Sequence, residues 1–306
     1  MLLLALAMFS APAHAQPVFR SGVDVVHFGV TVVGKDGQLV SGLTAEDFVI
    51  QEEGREQSIV YFSRGLDSDL ETMPLHLGVL FDTSGSMERD AGFAKTAAIK
   101  FLRSLDFAAD MTLVVFDTEV RVSRFGQADF PRLVERLRSQ ETGTYTALYD
   151  ALGVYLDGAF DQDGRKILLL YTDGGDTRSR MRRRELLDLV RASDVTVYAI
   201  GFQTQLRAAD RMMERLRLEE IVDLTGGRCY FPTSVDELDE IYAEIRDELA
   251  ARYSLGYVST DSTTDGAWRR VTIRFADSRP ELKDARIRAR EGYFARYVED
   301  EPSSPR

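Results

Sequence analysis

Apolar residues fall on every second position at Val26, Phe28, Val30 and Val32, the period of a half-buried strand. Lys35-Asp36-Gly37 then signals a turn. Phe48 and Ile50 alternate again, Glu53-Gly54 turns the chain, and Ile59 and Tyr61 resume the alternation. Residues 18–63 therefore predict strands, in a segment too short to bury a generous core alone.

The pattern changes near residue 74, where short apolar runs begin to alternate with stretches of helical spacing. Leu75–Phe81 predicts a strand. Met87–Leu105 predicts a helix, with Phe93, Ala97, Phe101 and Leu105 on or near one face. Met111–Phe116 predicts a strand with Val120–Phe125 as its hairpin partner. Phe130–Leu137 and Ala147–Leu156 predict helices. Ile167–Tyr171 is almost wholly apolar, as expected of a parallel strand covered on both faces, and Val195–Ile200 is a second buried strand. Arg182–Arg191, Leu206–Leu224 and Val235–Leu249 predict helices, with a small strand at Arg228–Phe231 before the last. This alternation predicts an α/β fold with a doubly wound, mostly parallel sheet.

Residues 252–297 return to period two. Val271, Ile273 and Phe275 alternate with Arg270, Thr272 and Arg274, and Ala285, Ile287 and Ala289 alternate with Arg286, Arg288 and Arg290. These strands have basic outer faces. The expected organisation is a discontinuous β-rich domain made of residues 18–66 and 252–297, with an α/β domain, residues 74–251, inserted into it. Residues 298–306 are acidic and then Ser/Pro-rich, and predict a disordered tail.

Composition narrows the function classes. Thirty-eight Lys and Arg stand against 50 Asp and Glu, a net charge of −12 over 306 residues, which argues against nucleic acid held by bulk charge. Cys229 is the one cysteine, so neither an intrachain disulfide nor a cysteine-rich zinc site can form. Residues 2–9 are apolar (LLLALAMF), and Ala13-His14-Ala15 precede Gln16-Pro17. This predicts a signal peptide, residues 1–15, although no Lys or Arg flanks the apolar run. The expected location is outside the cytoplasm: periplasmic, secreted or at the cell surface. No other apolar run approaches the ~20 residues that span a bilayer.

The informative stretch is Leu77–Met87, LGVLFDTSGSM. A buried strand ends at Asp82, and Ser84 and Ser86 follow at alternate positions, where a loop can turn them toward one point. Gly85 lets the backbone fold tightly there. A second apolar strand runs into Thr172-Asp173-Gly174-Gly175, and between the two lies Thr142-Gly143-Thr144-Tyr145-Thr146-Ala147-Leu148. Ligands in open α/β sheets gather at the carboxyl ends of strands, where all three pieces are predicted to arrive. Oxygen-only donors suit a hard cation, Mg²⁺ first, with Mn²⁺ or Ca²⁺ as alternatives.

These residues resemble a von Willebrand factor A domain, whose metal-ion-dependent adhesion site combines Asp-x-Ser-x-Ser with a distant Thr and a distant Asp. Asp82, Ser84 and Ser86 match the first motif, Asp173 the last, and Thr146 the threonine, with Thr144 a weaker match. The flanks resemble bacterial exported von Willebrand factor A-related proteins: Val33-Gly34-Lys35-Asp36-Gly37, then Gly42-Leu43-Thr44-Ala45-Glu46-Asp47-Phe48, and later Gly256-Tyr257 and Gly292-Tyr293-Phe294. The resemblance implies a divalent cation held by serines and a threonine, with the aspartates often acting through water. It also implies an open coordination position that takes Asp or Glu from a partner protein, and ligand binding sometimes coupled to movement of the last helix, here Val235–Leu249.

Several other residues bear on the reading. Asp176 is a candidate for supporting the metal ligands or for a turn. Arg178, Arg180 and Arg182, continuing into Arg183 and Arg184, are candidates for a rim that attracts an acidic partner or for a solvated helix start. His27 and His76 have no second ligand at metal spacing and are expected to be structural. Cys229 is expected to be buried and inert, and Trp268 to pack the β-rich region. The expected function is non-enzymatic, metal-dependent protein binding. One competitor is an envelope scaffold whose metal only stabilises the fold. Another is Mg²⁺-dependent phosphoryl transfer on Asp82, which usually needs a second acid at the position held here by Ser84.

Overall fold

The computed structural model describes residues 25–65, 74–103, 108–160 and 162–297. The expected signal segment, Leu105 and the tail after residue 297 lie outside them. The chain opens with β1 (Val25–Val33), β2 (Phe48–Glu52), β3 (Arg55–Gln57) and β4 (Ile59–Arg64). The α/β unit follows as β5 (Leu75–Asp82), α1 (Ala91–Leu102), β6 (Asp110–Phe116), β7 (Val120–Gly126), α2 (Phe130–Arg138), α3 (Leu148–Phe160), β8 (Arg165–Thr172), α4 (Arg183–Ala192), β9 (Thr196–Gly201), α5 (Ala208–Asp223), β10 (Arg228–Tyr230) and α6 (Glu237–Ala251). The chain then returns to strands: β11 (Tyr253–Val258), β12 (Trp268–Phe275), β13 (Arg286–Arg288) and β14 (Gly292–Phe294).

The central sheet has the order β10-β9-β8-β5-β6-β7, parallel except for the antiparallel edge strand β7. Period two decides which face each residue serves. Leu75, Leu77, Val79 and Phe81 of β5 join Ile167, Leu169 and Tyr171 of β8 beneath α1, α2 and α6. Leu80, Leu168 and Leu170 point the other way, beneath α3, α4 and α5. Helices on both faces explain why β8 is apolar at nearly every position. Gly78 admits α3: a Cβ there would come 2.3 Å from the ring of Tyr155. From β5 the strands run outward through β6 to β7 on one side and then resume on the other side as β8, β9 and β10, so the order reverses between β5 and β8, where the crevice of a doubly wound sheet opens.

Strands before and after this unit pair with each other. One sheet runs β13-β1-β11-β4 and another β14-β12-β2-β3, with antiparallel pairings throughout. A single apolar cluster joins them, built from Phe28 and Val30 of β1, Phe48 and Ile50 of β2, and Tyr253 and Leu255 of β11. Trp268 packs edge-on against Phe294 at 5.1 Å within this region.

Element ends differ from the sequence reading in a few places. The helix expected from Met87 starts at Ala91, because Gly85–Met87 forms a short 3₁₀ turn and Asp90 occupies the start of the helix, its carbonyl accepting from Ala94 N. The helix expected to end at Leu156 runs to Phe160. The alternating stretch Ala285–Ala289 contributes only three paired residues, Arg286–Arg288, opposite the end of β1.

Candidate metal centre

β5 carries Asp82 to the carboxyl end of the sheet, where Thr83 N still bonds Phe116 O of β6 at 2.8 Å. The chain then breaks away because Asp82 Oδ1 accepts from Ser84 N at 2.8 Å, an aspartate turn. Met87, fully buried, anchors the far end of the loop. Pinned at both ends, the loop brings the hydroxyls of Ser84 and Ser86 within 3.1 Å of each other. Ser84 is buried and Ser86 exposed, so the pair runs from the interior to the surface.

β8 delivers the second carboxylate. The Thr172 hydroxyl donates to Asp82 Oδ2 at 2.6 Å and accepts from Gly174 N at 3.1 Å. Asp173 follows, with Oδ1 accepting from Gly175 N at 2.9 Å and its carbonyl accepting from Gln203 Nε2 at 3.0 Å. Gly174 has φ +96°, a left-handed conformation that suits glycine, and it lies directly against Glu214 and Leu218 of α5.

The third loop is tied to the first. Gly143 N donates to Thr83 O at 2.6 Å, and Gly85 lies so close to the Thr144 carbonyl that a Cβ would stand 3.1 Å from it. Thr146 is buried. Its N donates to the Thr177 hydroxyl at 3.0 Å, and its carbonyl accepts from Thr177 N and Arg178 N, both at 2.9 Å. These bonds use only its backbone, leaving the hydroxyl without a protein partner among the described residues. Thr144 is exposed on the same loop.

Electrostatics set this place apart. Asp82 is fully buried, and its carboxyl is pushed up to about 7 by burial and then by the charge of Asp173, against hydrogen bonds from Ser84 and Thr172. Asp90 and Glu214 are also raised, mainly by burial and with Asp173 adding repulsion; Thr204 and Arg217 respectively oppose the shift. Neither Asp82 nor Asp173 has a cationic partner among the described residues. Sequence spacing gave no sign of Asp90 or Glu214, which arrive through packing of α1 and α5. Thr172 lies next to Asp173 in sequence, but its bond to Asp82 requires β5 and β8 to be neighbours.

The other candidates take different positions. Asp176 Oδ1 accepts from Tyr149 N at 3.2 Å and from the Ser179 hydroxyl at 2.5 Å, so it holds the start of α3. Arg178 lies over the ring of exposed Tyr145 at 5.9 Å. Arg180 N donates to Asp150, and Arg182 N to Glu185 Oε2 at 2.8 Å, leaving both side chains exposed. His76 bonds Asp110 Oδ2 at 2.8 Å and Asp163 O at 2.9 Å, a structural bridge across strand starts. Cys229 is half-buried rather than fully buried, and its thiol is pushed up to about 12, chiefly by desolvation.

The donor set suits a hard divalent cation: two carboxylates to balance its charge and hydroxyls that add oxygen without adding charge. No cluster of three or more His, Cys, Asp or Glu side chains placed to hold a metal occurs among the described residues, which leaves hydroxyls an essential share of any such set.

The von Willebrand factor type A domain model matches residues 76–244, more than half of the chain. No curated protein matches the sequence. Similar solved structures include a von Willebrand factor type A protein from Catenulispora acidiphila, 14% identical over 92% of this chain and 76% of that one, with a TM-score of 0.49. The vWF domain of the type V pili tip protein Mfa5 from Porphyromonas gingivalis is 12% identical over 63% of this chain and 99% of that one, with a TM-score of 0.47. BatB from Bacteroides thetaiotaomicron is 16% identical over 57% of this chain and 98% of that one, with a TM-score of 0.45. On the match over residues 76–244, the chain belongs to the von Willebrand factor type A domain family.

Proposed function

We propose that this protein is an exported, metal-dependent protein-binding module. Asp82, Ser84, Ser86, Thr146 and Asp173 would hold a divalent cation, Mg²⁺ first and Mn²⁺ or Ca²⁺ as alternatives. The observation that carries the reading is the meeting of two buried carboxylates, Asp82 and Asp173, beside paired serine hydroxyls, with no cationic side chain paired to either among the described residues. Such a site gains by binding a cation. Two carboxylates only balance a divalent charge, so the ion stays electrophilic and can take Asp or Glu from a partner. The apolar leader supports export.

Binding rather than turnover follows from the same residues. Position 84 supplies a hydroxyl, not the second acid that phosphoryl transfer on Asp82 would call for. The scaffold reading shares the metal site and differs only in what the open position does.

Titration calorimetry of the purified protein with Mg²⁺, Mn²⁺ and Ca²⁺, against Asp82→Ala, tests the metal. Saturable binding lost in the variant is expected, and no binding to the intact protein overturns the free metal site. A pull-down in metal and in chelator then tests the partner. Capture lost in chelator is expected, whereas capture indifferent to chelator favours the scaffold.

A further inference from the structure

A second cleft lies at the opposite end of the central sheet. It has a volume of about 770 Å³ and opens between the starts of β8 and β9, the ends of α4 and α6, and the β1, β11 and β14 region. Arg165, Lys166, Arg252, Arg290 and Arg296 line it. Only two carboxylate residues do so among the described residues, Asp163 and Asp194. A net positive cleft on a chain of net charge −12 is a local departure from the whole.

Among the described residues, two of these arginines are hydrogen-bonded to no carboxylate, although the charge of Asp194 reaches Arg290. Arg290 Nη2 donates to His27 O at 2.8 Å and Nη1 to Ser193 O at 3.3 Å, while the guanidinium lies 4.6 Å from the centre of the Phe28 ring. Its Nε is buried and has no hydrogen-bond partner among the described residues. Arg252 Nη2 donates to Gly29 O at 3.2 Å, and its Nη1 is likewise buried and unpartnered. Asp194 commits both oxygens to Lys166 Nζ, at 2.8 and 2.7 Å. His27 Nδ1 is a further buried nitrogen without a hydrogen-bond partner among the described residues. Neutral carbonyls fix both guanidinium groups, and Asp194, already bound to Lys166, offsets the charge of Arg290 only from a distance, so an anion entering the cleft would add the missing compensation.

We infer that this cleft binds a small organic anion, an aromatic or aliphatic group bearing a carboxylate or a phosphate, with Arg252 and Arg290 holding the charged end. The planar guanidinium fork matches either headgroup. Phe160 and Phe294, 48% and 43% exposed, line the same cleft and offer apolar surface to the remainder of the ligand. The volume lies within the range of small-molecule sites. Carboxylate and phosphate share this chemistry, so the experiment separates them.

The test is calorimetric titration of the purified protein, in chelator and low salt, with inorganic phosphate, phenyl phosphate and phenylacetate. One saturable site is expected, at least tenfold tighter for one of the two phenyl compounds than for inorganic phosphate, and the tighter of the pair identifies the headgroup. Arg252→Gln is expected to weaken it at least tenfold. Phe160→Glu changes an exposed position and is expected to weaken it similarly with an unchanged melting temperature, which keeps the test valid if Arg252→Gln fails to fold. No saturable heat with any of the three overturns the inference, as does binding unchanged in both variants.

Discussion

The two ends of the central sheet carry opposite unbalanced charges. At the carboxyl ends of β5 and β8, Asp82 and Asp173 repel each other with no cationic side chain paired to either among the described residues. At the amino ends of β8 and β9, Arg252 and Arg290 rest on carbonyls with no carboxylate bonded to either among the described residues. Between these ends sits Glu248 of α6, equally buried and fully served: Arg288 pairs with it, the Tyr198 hydroxyl donates at 2.8 Å, and the Thr31 hydroxyl at 3.4 Å. Glu52 in the β-rich region is served differently, by three hydroxyls rather than a cation: Tyr257 and Tyr293 donate at 2.6 and 2.9 Å and Ser259 at 2.6 Å. Burial alone therefore does not mark a site. What separates Asp82 from Glu248 is whether the fold supplies the opposite charge. A compensated carboxylate holds the structure together, and an uncompensated one leaves part of its electrostatics to a ligand.

The largest expected effect is at the uncompensated end. Asp173→Ala is expected to lower divalent-cation affinity more than 100-fold, since it removes one of the two charges that balance the ion. The same change is expected to leave the metal-free melting temperature unchanged or raised, because Asp173 there contributes repulsion to Asp82. Calorimetry and thermal melts in chelator check both halves. A metal-free protein strongly destabilised by Asp173→Ala would break the contrast.

Glu248→Ala is expected to do the reverse. It strips Arg288 of its partner in a buried setting and leaves the Tyr198 hydroxyl without its acceptor, a loss of about 3–5 kcal/mol. Denaturant unfolding measures it, and the loss is expected with or without metal. Glu248 joins α6 to β1 and β13 of the outer sheets, so loosened packing between these layers is the expected structural consequence.

Next in size is a pH effect confined to Asp82. Its folded-state carboxyl sits at about 7, above the value of 3.8 expected when exposed. Between these values the metal-free folded protein holds a proton that the unfolded chain releases. Stability from this group is therefore greatest below pH 4 and falls as pH rises to 7, by up to about 1.4 kcal/mol per pH unit. Asp82→Asn is expected to flatten this component. In saturating metal the trend is expected to reverse, because the cation competes with the proton. Unfolding curves at several pH values, in chelator and in metal, provide the check.

The sequence exposed the carboxylate end far better than the arginine end, for a physical reason. Asp82, Ser84 and Ser86 are neighbours in one strand-to-loop segment, so alternation alone suggested convergence. Asp173 could be placed because β8 is apolar along almost its whole length and announces its own end. The start of α1 was misplaced by four residues because the aspartate turn at Ser84 and the 3₁₀ turn at Gly85–Met87 come first, and no apolar period records them. Asp90 and Glu214 approach Asp173 only through packing of α1 and α5. The second cleft draws His27, Arg165, Arg252 and Arg290 from four distant segments, and no spacing connects them.

The smallest expected effect concerns the surface around the carboxylate end. Arg178 lies over Tyr145 beside the threonine loop, and Arg180 and Arg182 are exposed just beyond it. None of the three side chains supports the fold through a buried contact, so their joint replacement by Ala is expected to change stability by less than about 0.5 kcal/mol. Their charge is nonetheless of the sign that draws an acidic partner toward the proposed metal. Stopped-flow association with a fluorescent Glu-rich peptide in Mg²⁺ is expected to slow by a few-fold at low ionic strength in the triple variant. The difference is expected to vanish near 1 M salt, where screening acts over about 3 Å. Arg183, paired with Glu220, serves as the internal control, because its charge is already answered and its removal is expected to affect association less. Equal association rates for the triple variant and the parent at low salt would reduce these arginines to a solvated helix start and confine recognition to the carboxylate loop itself.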